Sequence, residues 1–203
     1  YPTQNPFQSA RIGDNDAFVA KLNAAGTALE YSTYLGGEDG GTVEGAYGID
    51  VDSSGNVYVI GTTYSPDFPM VNPFQGTQHG ESSEAFVTKF SANGSALVYS
   101  TYLGGDGGDN GRAIAVDTNG DVYLTGTTTS GNFPLRNPWQ PDIASVFHPD
   151  SFITKLSSNG LNISGRVTTP TGEGVGGVTV TLSGSSSETA TTNSNGDYSV
   201  GPV

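Results

Sequence analysis

The chain has 203 residues, carries 20 acidic against 7 basic side chains for a formal net charge of −13, and contains no cysteine. That charge opposes a sequence-neutral grip on phosphate backbones and argues against a nucleic-acid partner, and the missing thiols exclude disulfides and thiolate metal sites. The 30 glycines, 11 prolines and 10 tyrosines favour short strands and tight turns over helices, and no apolar run approaches the roughly 18 residues of a membrane span, so no transmembrane segment is expected.

Taken in chain order, the opening Asn5-Pro6-Phe7-Gln8 reads as the tail of a repeated unit, because the same motif returns as Asn72-Pro73-Phe74-Gln75 and Asn137-Pro138-Trp139-Gln140. Period-two alternation predicts a strand over 17–22, a turn through Ala24-Ala25-Gly26 and a second strand over 29–35. A glycine-rich acidic loop follows. Strands over 47–52 and 57–63 then flank Ser53-Ser54-Gly55-Asn56 as a hairpin. A long connection rich in Pro, Gly and Asn comes next, and its aromatics, Phe68 and Phe74, are the anchors expected to hold it down.

The whole pattern then repeats. Strands are predicted over 85–90 and 97–103, joined by Asn93-Gly94, a strong hairpin signal. A second hairpin pairs 112–117 with 122–128 around Thr118-Asn119-Gly120-Asp121, and Phe133 and Trp139 take the anchor positions. Phe152-Ile153-Thr154-Lys155-Leu156 opens a further copy. The heptapeptide Tyr-Ser-Thr-Tyr-Leu-Gly-Gly stands at 31–37 and again at 99–105. Repetition on this length scale signals units that bury their faces by stacking on neighbours. Four antiparallel strands per unit, apolar on both faces, describe a propeller blade better than a solenoid coil.

Near Gly160 the pattern changes. Short strands are predicted over 163–168, 178–183, 189–192 and 198–200, with Asn195-Gly196 as another hairpin turn. Four short strands on about forty residues make too small a core for independent stability, so further strands or a neighbour are expected to complete it.

The segments AFVTKFSANGSALVYSTYLGG, GIDVDSSGNVYVIGTT and FPMVNPFQ closely resemble the SBBP family of bacterial and archaeal β-propeller repeats, over residues 1–160. The resemblance implies that the hairpin 47–63 forms the inner two strands of a blade and that 85–103 supplies the outer two, so that a blade straddles two sequence repeats. The tail, through ISGRVTTPTGEGVGGVTVTL and TTNSNGDYSV, resembles a carboxypeptidase regulatory-like module, a prealbumin-type β-sandwich that is incomplete at its C-terminal side. The expected fold is therefore all-β: four-stranded antiparallel propeller-type blades over 1–160, beginning mid-repeat, followed by a partial β-sandwich over 161–203. Neither resemblance implies a reaction, and both imply a secreted, multi-domain setting.

Candidate site residues fall into a few groups. Lys21, Lys89 and Lys155 are the lysines of the chain, and all occupy one repeat position, on strands that an acid, Asp16, Glu84 or Asp150, just precedes. A recognition ladder is one reading. The structural reading places each stem between blades, with the ammonium on a carboxylate such as Asp52 or Asp117. Asp117, Asn119 and Asp121 present alternate oxygens, as a hard cation such as calcium needs, and Asn193 to Asp197 has similar spacing. A hairpin turn whose side chains bond the backbone competes with that reading, and Ser53-Ser54-Gly55-Asn56 lacks most of the ligands.

The acids Glu38, Asp39 and Glu44, and Asp106 and Asp109, are expected on solvated loops. His79 and His148 lie in equivalent long loops and read as surface residues. Asn93-Gly94-Ser95 and Asn162-Ile163-Ser164 fit the glycosylation sequon, to which no role is attached. No cofactor is expected, with calcium the one alternative.

The function expected from these readings is a non-catalytic extracellular or cell-surface scaffold, structural or adhesive, displaying acidic and proline-rich loops. Its partners would be other domains of the same longer chain, sister subunits or surface glycans. An accessory binding region of a secreted hydrolase and a calcium-dependent adhesion module are the alternatives. Two complete repeats cannot close a ring of about four to eight blades. The chain is therefore expected to be a piece of a longer array, with strand exchange between identical chains as the competing solution.

Overall fold

The computed structural model describes residues 1–38, 44–144, 147–157, 163–182 and 188–200. Asp39, the second sequon at Asn162 and the junction near Gly160 lie outside them. The chain divides into two compact units, Tyr1–Leu156 and Ser157–Val203.

The first unit contains nine strands in three antiparallel sheets. Strands β1 (Ala17–Leu22) and β2 (Leu29–Leu35) pair alone. Strands β3 (Gly45–Val51), β4 (Val57–Thr63), β5 (Glu84–Phe90) and β6 (Leu97–Leu103) form a four-stranded sheet in that order. Strands β7 (Asp109–Val116), β8 (Val122–Thr128) and β9 (Asp150–Leu156) form a three-stranded one. The middle sheet takes β3 and β4 from one sequence repeat and β5 and β6 from the next.

Alternation on the middle sheet sends neighbouring residues to opposite faces, and both faces are covered. Val57, Val59, Phe86, Phe90 and Tyr102 pack with Ala17, Val19, Tyr31 and Leu35 of the first sheet in one core. Tyr58, Ile60, Ala85, Val87 and Leu103 pack with Val122, Leu124, Phe133 and Phe152 in another. The long loops are pinned as expected by their first aromatic, with Phe68 stacked on Phe86 at 4.5 Å and Phe133 on Phe152 at 4.7 Å between ring centroids. Their second aromatic is not an anchor: Phe74 is 66 % exposed and Trp139 fully so.

Strands β3 and β7 start earlier than the alternation predicts, at Gly45 and Asp109. Each contains a bulge, at Tyr47 and at Arg112, which breaks the period-two pattern. The two bulged side chains meet, the Arg112 guanidinium lying 5.2 Å from the Tyr47 ring centroid. In the Asn93-Gly94 turn, Gly94 has φ +69°, and a Cβ there would stand 2.3 Å from the Tyr31 ring, so both conformation and space require glycine.

The second unit contains β10 (Ile163–Arg166) paired with β13 (Asp197–Val200), and β11 (Thr179–Leu182) paired with β12 (Glu188–Thr191). Thr192 is buried and ties the segment before β11 together: its hydroxyl donates to the Val175 carbonyl at 2.7 Å and accepts from the Val178 amide at 2.9 Å. Among the described residues there is no helix, and none therefore that is long and apolar enough to cross a membrane.

Candidate functional site: a latch along the outer strand edge

The most elaborate polar construction in the first unit lies where the Asn-Pro-Phe-Gln motif meets the Tyr-Ser-Thr-Tyr-Leu-Gly-Gly strand. Asn5, Asn72 and Asn137 are the non-glycine residues with positive φ, at 44°, 44° and 50°. Asparagine tolerates that region because its short polar side chain bonds locally. This kink turns the motif alongside the outer strand and places a glutamine at its end.

In the middle sheet the motif borders β6. Val71 exchanges backbone hydrogen bonds with Ser100, and the Tyr102 amide donates to the Gln75 carbonyl at 3.1 Å. The Asn72 side chain donates to the Val98 carbonyl at 3.2 Å, and the Gln75 amide donates to Thr101 Oγ1 at 2.8 Å. The edge of β6 is thereby closed with backbone and side-chain bonds, which removes a surface that would otherwise recruit strands.

The Gln75 side chain then works in three directions. Its Oε1 accepts the Gly104 amide at 3.1 Å, and its Nε2 donates to the Thr77 carbonyl at 3.2 Å and to Glu84 Oε2 at 2.8 Å. Glu84 Oε1 accepts the His79 amide. Glu84 is fully buried, and that burial pushes its carboxyl up to about 7, with the nearby Asp109 charge adding to the rise. The same parts recur at the first sheet: Gln8 Oε1 accepts Gly36 N at 3.2 Å, and Gln8 Nε2 donates to Asp16 Oδ2 at 2.7 Å and to the Ala10 carbonyl at 3.1 Å.

The acidic loops depart from the sequence expectation. Glu38 and Asp106 are exposed, but Glu44 and Asp109 are buried. Each accepts the amide of the second glycine after the outer strand, Gly37 to Glu44 at 2.9 Å and Gly105 to Asp109 at 2.8 Å. Hydroxyls donate to them as well, Thr63 to Glu44 and Ser130 to Asp109 Oδ2 at 2.7 Å. Burial raises both carboxyls despite these bonds. Residues Gly36 and Gly104 leave no room for a side chain, since a Cβ would meet Glu44 or Asp109 at about the length of a hydrogen bond.

Each of the three lysines reaches a carboxylate, and the partner differs from copy to copy. Lys89 Nζ is 3.5 Å from Asp52 Oδ2 and 4.7 Å from the Tyr58 ring centroid. Burial alone would raise the Asp52 carboxyl; bonds from Asn56 and Tyr58 and the Lys89 charge together hold it below its ordinary value. Lys155 pairs with Asp121 at 2.6 Å and not with Asp117. The neutral Asn56 at the equivalent position donates to Asp52, whereas Asp121 offers a second carboxylate nearer the ammonium. Lys21 reaches Glu30 at 2.7 Å, both side chains nearly half exposed.

The residues considered for calcium are occupied with their own turn. Asp117 Oδ1 accepts the Asn119 and Asp121 amides at 2.9 and 3.0 Å. Asp52 does the same for Ser54 and Asn56, and Asn193 for Asn195 and Asp197, each turn closing with a glycine at φ 80–84°. Among the described residues no three His, Cys, Asp or Glu side chains form a group able to hold a metal ion. His79 and His148 have exposed rings.

Sequence reasoning saw the Asn-Pro-Phe-Gln repetition but missed its purpose. The signal was present, since Gln8, Gln75 and Gln140 each stand 8–10 residues before an acid. A family model described as a beta-propeller repeat, SBBP, matches residues 30–69 and again 98–134. Each match starts in or just before the outer strand of one sheet, crosses the inner hairpin of the next and ends at the Phe-Pro of the long loop. The stacked antiparallel sheets fit a β-propeller-like type. The tail has no family match, and no curated protein matches the chain.

Proposed function

We propose that this chain is a non-catalytic scaffold of the extracellular space or cell surface, in which propeller-type blades and a carboxypeptidase regulatory-like sandwich hold outward loops in fixed positions. The observation that carries this reading is where the repeated ionisable groups sit. Glu84, Glu44 and Asp109 accept backbone amides and side-chain donors that fix strand ends, and Lys89 and Asp52 pair beneath a tyrosine. Groups used that way brace the sheets, and the chemistry left for partners is that of the exposed acidic and proline-rich loops.

Their partners are neighbouring domains, sister subunits or surface glycans. A defined panel of polysaccharides and peptides tests the proposal on the purified chain. Saturable binding without turnover is the expected result. Hydrolysis that persists through repeated purification would overturn the non-catalytic reading.

A further inference from the structure

Among the described residues, the third sheet has no counterpart of β2 and β6. In the middle sheet β6 follows β5 through the Asn93-Gly94 turn and pairs with it from Ala85↔Leu103 to Phe90↔Leu97. In the third sheet β9 occupies the place of β5, pairing with β8 from Val122↔Leu156 to Thr128↔Asp150. The segment at the sequence position of the next strand is β10, and it pairs with β13. Among the described residues, β9 therefore has β8 as its one strand neighbour.

The latch for the absent strand is nevertheless set. Asn137 holds the left-handed kink of Asn5 and Asn72. Gln140 Nε2 donates to the Asp142 carbonyl at 2.8 Å and to Asp150 Oδ2 at 3.0 Å, as Gln75 does to Thr77 and Glu84. The two other copies show what seats on this arrangement: an extended Leu-x-Tyr-Ser-Thr-Tyr-Leu-Gly-Gly strand, whose first glycine amide meets the glutamine. In the middle sheet its Ser100 also meets Thr88 of the neighbouring strand at 2.8 Å.

We infer that the β9 edge and its 137–140 latch form a receptor for such a strand, and that a second copy of this chain supplies it through residues 29–37. The donor is β2 because residues 29–37 repeat the sequence of the strand that seats on β5 in the middle sheet. Backbone pairing provides the affinity, and the alternate Tyr, Thr and Leu side chains with the terminal Gly-Gly set the register. The inference deepens the scaffold reading by naming the sister-subunit contact, but strand capture is measured independently of loop binding or catalysis.

The test uses the whole chain and a synthetic peptide of residues 97–105, LVYSTYLGG, with a scrambled peptide as control. Calorimetry is expected to give one site per chain. Light scattering is expected to show mass rising with protein concentration and falling back to the single-chain value with excess peptide. Gln140→Leu and Asn137→Gly, both on the exposed segment, are expected to weaken peptide binding by about tenfold, as loss of one or two hydrogen bonds gives. Circular dichroism identical to the parent excludes misfolding as the cause. Absence of peptide binding up to about 1 mM, the weakest affinity of interest, would overturn the receptor. Binding unchanged in both variants would overturn its location. Peptide binding by a chain that stays single at every concentration would overturn the second copy as donor.

Discussion

The middle and third sheets of the first unit begin from nearly the same sequence and end in different states. Phe86 and Phe152 occupy the same position and stack on the same loop phenylalanine, yet Phe86 is fully buried and sits in a sheet covered on both faces, while Phe152 retains some exposure. Glu84 is buried beneath its latch, whereas Asp150, with an equivalent glutamine bond, is not. The acids themselves differ, and the middle sheet packs in a core on each face and has four strands, whereas the third packs in one core and has three among the described residues.

The comparison can be pressed hardest at the phenylalanines. Phe86→Ala is expected to destabilise the first unit by about 3–5 kcal/mol, the usual range for an enclosed aromatic, and Phe152→Ala by about 2 kcal/mol, because its site is less enclosed. Urea unfolding followed by tyrosine and tryptophan fluorescence measures both. Equal losses would mean that the third sheet is as enclosed as the middle one.

The glutamines give a smaller contrast. Gln75→Ala leaves the Gly104 amide and one Glu84 oxygen without their partner in a buried place, and a loss of about 2 kcal/mol is expected. Gln140→Ala removes exposed bonds and should cost under about 0.5 kcal/mol. The same urea titration reads the difference.

The smallest contrast is in pH. Glu84 binds its proton more tightly folded than unfolded, so its contribution to stability is fully present below its ordinary value of 4.5 and is lost as pH rises through about 7. Glu44 and Asp109, also raised, act in the same sense. Asp52, held below its ordinary value of 3.8, acts oppositely, its contribution disappearing as pH falls through the lower folded value. A stability maximum near pH ~4 is therefore expected, with a fall of up to about 3 kcal/mol toward pH 8 from Glu84. Melting temperatures across pH 4 to 8 test this. Glu84→Gln should flatten the fall between about pH 5 and 7.

Most of the strand pattern was legible because short β-branched and aromatic segments stand between clear turn residues: β1, β2, β4, β6 and β8 lie where the sequence predicts. The early starts of β3 and β7 were hidden by a bulge, which shifts the period by one residue at Tyr47 and Arg112. The latch was hidden for another reason. Its members, Gln75, Glu84, Gly104 and Asp109, lie in four segments, and a glutamine in a proline-rich loop resembles any solvated side chain until the neighbouring strand is in place. The burial of Glu44 and Asp109 was equally invisible, since their hydrogen-bond donors are backbone amides, which no sequence pattern distinguishes. The choice of Asp121 over Asp117 by Lys155 turned on a single Asn-to-Asp difference between copies.

The offset between sequence repeat and sheet has a consequence for how such chains change length. A sheet made half from one unit and half from the next is restored whenever a whole unit is inserted or excised, because the flanking halves already share a register. Recombination between copies can thus lengthen or shorten the array without any sheet having to be redesigned, and every junction is cross-braced by its two contributors, as overlapping bricks tie a wall.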